Sequence, residues 1–207
     1  MIPGEDACCI LLYGDIGEYS DVTAAAIVRE LMEAEASGKR IDVRINSNGG
    51  DVYTGIAIFN ALRGSKADIH IYVDGIAASM ASVIALCGKP VEMSKYARLM
   101  LHSVSGGCYG NKTELRRCLE EVEALENTLC EMYAPKLGTS VEDIRARYFD
   151  DADHWLKADE ALALGFIDGV YDADPVPEDS TPEQVYRIFN NLSLIHISEP
   201  TRHLRIS

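Results

Sequence analysis

Ser79, His102 and the aspartates Asp150, Asp151 and Asp153 are the residues whose types could carry nucleophilic chemistry. Ser79 stands in Gly75-Ile-Ala-Ala-Ser-Met80, after the alternating run Ile69-His-Ile-Tyr-Val73 and before the apolar Val83-Ile-Ala-Leu-Cys87. A serine between a strand and a helix start has two physical assets. The first helical turn offers N–H groups without intrahelical partners and a positive dipole end, both suited to a developing oxyanion. The small side chains of Ala77, Ala78 and Ala81 leave room for a substrate carbonyl. The plainer role is a helix cap, which is common for serine at such a position.

A second stretch strengthens the catalytic reading. Asn46-Ser-Asn-Gly-Gly50 follows another alternating run, and paired glycines permit backbone geometry closed to other residues while exposing N–H groups. Bare amides at two strand ends beside a serine form the kind of site that acyl transfer uses. The serine then needs a base. His70 alternates with Ile69 and Ile71 and faces a sheet surface, and His154 precedes Trp155 in an acidic loop. His102 follows Arg98-Leu-Met-Leu101, where side chains emerge at the rim of an α/β sheet, and is the best candidate base. An orienting carboxylate should come from a third loop, and Asp150, Asp151 and Asp153 all qualify by type. Lys89 and Lys95 could serve a Ser/Lys arrangement, but they lie in a polar loop.

The elements that must position these residues can be read from periodicity. Cys9–Gly14 and Ile41–Asn46 read as strands, with Ile69–Val73, Val91–Met93 and Arg98–Leu101 following. Val22 to Ala36 reads as a helix with Asp21 as its cap and Ile27, Leu31 and Ala34 on one face. Thr54–Leu62, Val141–Tyr148 and Ala158–Leu164 are further helices. Asn111 and Glu114 form a capping-box pattern opening a long helix to Tyr133, with Leu115, Leu119, Val122, Leu125, Leu129 and Met132 as its apolar stripe. Such a stripe either packs across the core or projects toward a partner. Strand–helix alternation predicts an α/β fold with a largely parallel sheet.

The 207 residues, 47% hydrophobic and 25% charged, suit one domain with a sizeable core. A net charge of −14 repels phosphate backbones, so nucleic acid is not an expected partner. No apolar run approaches the ~20 residues a membrane helix needs, and the N-terminus lacks the basic and apolar regions of a signal peptide. Six cysteines show no C-x-x-C pair, and adjacent Cys8 and Cys9 suit neither a simple bridge nor a zinc site. The expectation is reduced thiols in a cytoplasmic protein, with Cys118 and Cys130 packing along the long helix and no metal or cofactor. Asp172–Pro182 is acidic and proline-rich, and residues 172–191 read as a C-terminal extension. Leu192–Arg202 with Ile206-Ser207 reads as translated sequencing-adapter DNA, so residues 192–207 are set aside from fold reasoning.

Four ordered stretches carry a family resemblance: Asn46-Ser-Asn-Gly-Gly50, Gly75-Ile-Ala-Ala-Ser-Met80, Met100-Leu-His102, and Asp153-His-Trp-Leu-Lys-Ala-Asp-Glu-Ala161 with Gly165-Phe-Ile-Asp168. They resemble the motifs of the Clp protease proteolytic subunit, and most narrowly its prophage-encoded, head-maturation-type members. The resemblance spans Ile10 to Val170. It implies a crotonase-related Clp fold over residues 1–171, with flanking helices and a long handle helix. It implies a serine endopeptidase with Ser79 as nucleophile, His102 as general base and Asp153 as orienting acid. The backbone N–H groups of Gly50 and Met80 would form the oxyanion hole. It implies a peptide or protein substrate and self-association into heptameric or double heptameric rings.

Two departures from the family pattern stand out. Asn48 replaces the usual proline, a change that the retained Gly49-Gly50 tolerates. Only a short segment precedes the first strand, so a Clp ATPase is not the expected partner and a phage structural protein is the more natural substrate. The competing functions are a crotonase-fold enzyme acting on acyl-CoA thioesters and an assembly scaffold without catalysis.

Overall fold

The computed structural model describes residues 2–3 and 7–171; the extension over 172–191 and the adapter-like stretch over 192–207 lie outside the described residues. Strand β1 (Ile2–Pro3) pairs antiparallel with β2 (Ala7–Tyr13), in which Cys8, Ile10 and Leu12 are buried and alternate with half-exposed neighbours. Helix α1 (Ala24–Ser37) buries Ile27, Leu31 and Ala34, the stripe its sequence predicts. Its cap is Thr23, whose hydroxyl accepts from the Ala26 N–H at 3.2 Å. Asp21, the expected cap, instead accepts from the Asp15 N–H and so starts no helix. Strand β3 (Arg40–Ser47) buries Ile41, Val43 and Ile45 and runs parallel to β2. Helix α2 (Val52–Gly64) begins earlier than its apolar pattern because the Asp51 carboxylate accepts from the Thr54 N–H at 2.7 Å.

Strand β4 (Ile69–Ala78) runs five residues beyond Val73, where the apolar alternation ends. Its glycine- and alanine-rich half is held as a strand by neighbours on both sides. Ala77 registers with Ser47 of β3, and Ala78 registers with Met100 of β6 (Arg98–Leu101). Helix α3 (Met80–Ala85) follows at once and is buried throughout. Strand β5 (Val91–Ser94) extends the sheet on the other side.

The long helix α4 (Lys112–Leu137) opens with the expected capping box. The Asn111 side chain accepts from the Thr113 and Glu114 N–H groups, and the Glu114 carboxylate accepts from the Asn111 N–H at 2.7 Å. The helix continues past Pro135, because a proline this close to the end removes one hydrogen bond without blocking the last turn. Gly138, at φ +61, terminates it. Of the expected stripe only Leu129 is buried, joined in the core by Cys130 and Tyr133, while Leu115 and Leu119 are 47% and 58% exposed. Helix α5 (Val141–Tyr148) leads to β7 (His154–Lys157), a strand the acidic flanking sequence conceals, then to α6 (Ala158–Ala163) and β8 (Gly169–Tyr171).

The sheet order is β1-β2-β3-β4-β5-β8, with β6 branching from β4 and β7 from β6. Pairing is parallel except at β1–β2 and β6–β7, which matches the expected largely parallel α/β architecture. On one face of the sheet, polar groups take the place of apolar packing. Asp74 accepts from the hydroxyls of Tyr13 and Tyr171, each at 2.5 Å, and from the Arg44 guanidinium in a fork. Burial and the Asp74 carboxylate together push both tyrosine pKa values far up, so the phenols stay protonated and keep donating. Four strands, β2, β3, β4 and β8, are tied through one carboxylate.

One expectation about the cysteines is overturned. Cys108 and Cys118 are paired in a disulfide, with Cα atoms 6.5 Å apart, so Cys118 is not a packing residue and the six thiols are not all reduced. The N-terminal turns of α4 bring Cys118 back over the loop that carries Cys108, a closeness that sequence spacing does not display. Cys130 is buried, as its place on the helix predicts.

Candidate active site

Ser79 sits where β4 ends and α3 begins, at φ +53 and ψ −127. A positive φ on a side chain other than glycine is strained, and such residues persist only where their surroundings over-determine them. Three contacts fix this one. The Ser79 N–H donates to the Met100 carbonyl at 2.9 Å, which anchors the turn to β6. The Ser79 carbonyl accepts from the Ser82 hydroxyl at 2.6 Å. Ser82 spends its single proton there, so Tyr133 donates its own to Ser82 Oγ at 2.7 Å. Tyr133 is fully buried, and desolvation pushes its pKa far up, which keeps it a donor. The Ser79 side chain makes no capping bond to α3, so the helix-cap role is not the one adopted.

The paired glycines have steric reasons. Gly49 has φ +95, and a Cβ on it would lie 2.6 Å from the Ala78 carbonyl oxygen and 2.8 Å from Ser79 Cβ. Gly50 has φ +145, and a Cβ there would collide with the Ile16 carbonyl oxygen at 2.1 Å. The loop can therefore lie directly against the serine only with glycine at both positions.

His102 follows β6 immediately, and its Nε2 lies 2.8 Å from Ser79 Oγ. Its Nδ1 faces Asp153 Oδ1 at 3.4 Å, an ion-pair distance longer than an ordinary hydrogen bond. The β6–β7 pairing sets this up: Leu101 registers antiparallel with His154, so the next residues outward, His102 and Asp153, emerge together. Of the other two aspartates, Asp150 accepts from His154 Nε2–H at 2.6 Å, and Asp151 meets the site through its backbone N–H, which donates to Ser103 Oγ at 3.0 Å. Gly50 and Met80 border the same cavity as Ser79 and His102, with Val52, Val83, Leu129 and Phe149 forming apolar walls.

Lys89 donates to the Ser65 carbonyl at 2.7 Å and lines a different cleft with Phe59, Arg63 and Met132; neither it nor Lys95 borders the Ser79 cavity. Sequence reasoning missed Ser82, Tyr133 and Ser103. Ser82 had a readable signal, three residues beyond Ser79 on a helix. Tyr133 and Ser103 had none, because their partners are distant in sequence.

Residues 7–174 match the family model described as Clp protease. The chain belongs to the Clp protease family. It is 32% identical over 157 residues to an ATP-dependent Clp protease proteolytic subunit of Bacteroides fragilis, covering 74% of this chain and 75% of that protein. It is 35% identical over 158 residues to the ATP-dependent Clp protease proteolytic subunit 1 of Prochlorococcus marinus subsp. pastoris, covering 74% and 80%. Family membership over this span makes the chain a serine peptidase. Among the described residues, no helix is long and apolar enough to cross a membrane.

Proposed function

We propose that this Clp-family peptidase cleaves peptide bonds through Ser79, His102 and Asp153. The observation that carries the reading is the 2.8 Å approach of His102 Nε2 to the hydroxyl of a serine held at positive φ. With its proton on Nδ1 and directed at Asp153, the imidazole presents a bare Nε2 to the Ser79 hydroxyl. Ser79 Oγ attacks the scissile carbonyl as His102 takes its proton. The oxyanion is received by the backbone N–H groups of Gly50 and Met80, which are fixed before the reaction and need no reorganisation. Collapse expels the amine, which takes its proton from His102, and leaves an acyl ester on Ser79. Water, deprotonated by the same histidine, then releases the acid. Asp153 stabilises the imidazolium in both halves. Loss of peptide hydrolysis in Ser79→Ala with an unchanged thermal midpoint is the expected result; retained turnover contradicts the assignment.

Self-association is the second part of the proposal. The exposed Leu115 and Leu119 continue the buried stripe of α4 outward, leaving apolar area that a second copy can cover. The reading is a heptameric ring, stacked in pairs, that encloses the Ser79 sites. Leu119→Glu should shift the light-scattering mass downward together with activity, and a wild-type monomer that is active at micromolar concentration contradicts the chamber. The resemblance to prophage-encoded members extends the proposal to phage structural proteins as substrates, cut without an ATPase. Degradation of an unfolded protein in the absence of nucleotide tests that extension, and a strict requirement for a Clp ATPase contradicts it.

A further inference from the structure

We infer that Ser103 and the Asp150–His154 pair are positioning residues that aim Asp153 at His102. The inference rests on the reading of Asp153 as the acid of the triad. Asp153 is poorly placed to aim itself. Its side chain is 58% exposed and stands 3.4 Å from His102 Nδ1. It also follows a turn in which Asp151 takes φ +66, a region that side chains other than glycine adopt only when other contacts impose it.

Two sets of contacts impose it here, from opposite sides. On the base's side, Ser103, the residue after His102, accepts the Asp151 N–H on its hydroxyl oxygen at 3.0 Å. The strand end carrying the base thereby grips the turn carrying the acid. On the other side, Asp150 Oδ1 accepts from the Ala152 N–H at 3.2 Å and from His154 Nε2–H at 2.6 Å, closing the turn around Asp153. The His154 bond holds the Asp150 carboxyl below its usual range, so it remains an acceptor. His154 is in turn seated edge-on against Tyr148, with ring centroids 5.5 Å apart, and Tyr148 packs edge-on against the buried Phe166 at 5.4 Å. A line of contacts thus runs from the core through Tyr148, His154 and Asp150 to the turn.

The arrangement gives His154 and Ser103 a role distinct from generic stability. Either can be removed without touching the reacting atoms, yet each removal frees the turn and lets Asp153 drift from the imidazole. A displacement of about 1 Å at a catalytic group can cost on the order of a hundredfold in rate.

The test is steady-state hydrolysis of a fluorogenic peptide by the full chain, comparing His154→Ala, Ser103→Ala and the donor-preserving His154→Gln, alone and combined with Asp153→Asn. Thermal midpoints are measured in parallel. His154→Ala and Ser103→Ala should each lower kcat by roughly tenfold to a hundredfold with KM within about twofold, the signature of a lost transition-state interaction. His154→Gln should recover most of that loss. In the Asp153→Asn background neither alanine change should cost more, because residues acting through one group are non-additive. Full turnover in both alanine variants while Asp153→Asn is crippled overturns the inference and leaves the triad standing. The same holds for losses that add in full to Asp153→Asn. Near-normal turnover of Asp153→Asn itself removes the acid role, and the inference falls with it. If His154→Ala fails to fold, Ser103→Ala reads the same turn from the other side.

Discussion

Leu101 and His154 face each other across the only strand pair, among those built from described residues 7–171, that runs antiparallel, and this register brings His102 and Asp153 to one point. The parallel pairing of Ala78 with Met100 does the same for Ser79. Strand β6 is therefore the shared ruler of the site: one edge places the serine, its own end carries the histidine, and its other edge places the aspartate.

The steric demand that falls directly on the serine turn comes from Gly49. An added methyl meets the Ala78 carbonyl oxygen and Ser79 Cβ well inside contact distance, and φ +95 disfavours any side chain. Gly49→Ala should fold with a cooperative melt yet lose about a hundredfold or more in peptide hydrolysis, because the serine turn must move to admit it. Wild-type kcat in that variant contradicts the steric account.

The support beneath Ser79 makes a separate expectation. Ser82→Ala leaves the fully buried Tyr133 hydroxyl without the partner it donates to, at a cost of about 1–3 kcal/mol, whereas Tyr133→Phe removes the stranded group itself and should cost less. Urea melts of the two variants and the double mutant measure this. Equal or reversed losses contradict the reading that Ser82 is the partner on which the buried Tyr133 hydroxyl depends.

How much of this was legible in the sequence depended on whether a residue's partner was near it in the chain. The Asn111–Glu114 capping box, the α1 stripe and the glycine pair are local signals and were readable. The far half of β4 was not. Gly75-Ile-Ala-Ala has weak strand propensity, and only pairing with β3 and β6 holds it extended. Strand β7 was hidden for the same reason, since His154–Lys157 gains its strand character from β6. The choice among three aspartates could not be made from residue type, because all three sit in one turn and only the β6–β7 register separates the one that faces His102. Asp21 was the cap expected from the sequence, but its carboxylate is committed to the Asp15 N–H, and Thr23 takes the role instead.

The cysteines make a chemical prediction. Burial pushes the thiols of Cys9, Cys87 and Cys130 up to about 11, so they alkylate slowly in the folded protein. Unfolded without reductant, the chain should take up iodoacetamide at its four free cysteines and not at Cys108 or Cys118. After reduction all six should react, and stability should fall by about 2–3 kcal/mol. Six adducts without reduction contradict the pairing.

The central claim is that His102 activates Ser79 as a nucleophile. The direct measurement is reaction of the full chain with a fluorophosphonate probe, followed by peptide mapping of the adduct. One adduct is predicted, on Ser79, absent in Ser79→Ala and formed about four decades more slowly in His102→Ala. An unlabelled wild-type chain, an adduct on another residue, or undiminished labelling in His102→Ala would contradict the account.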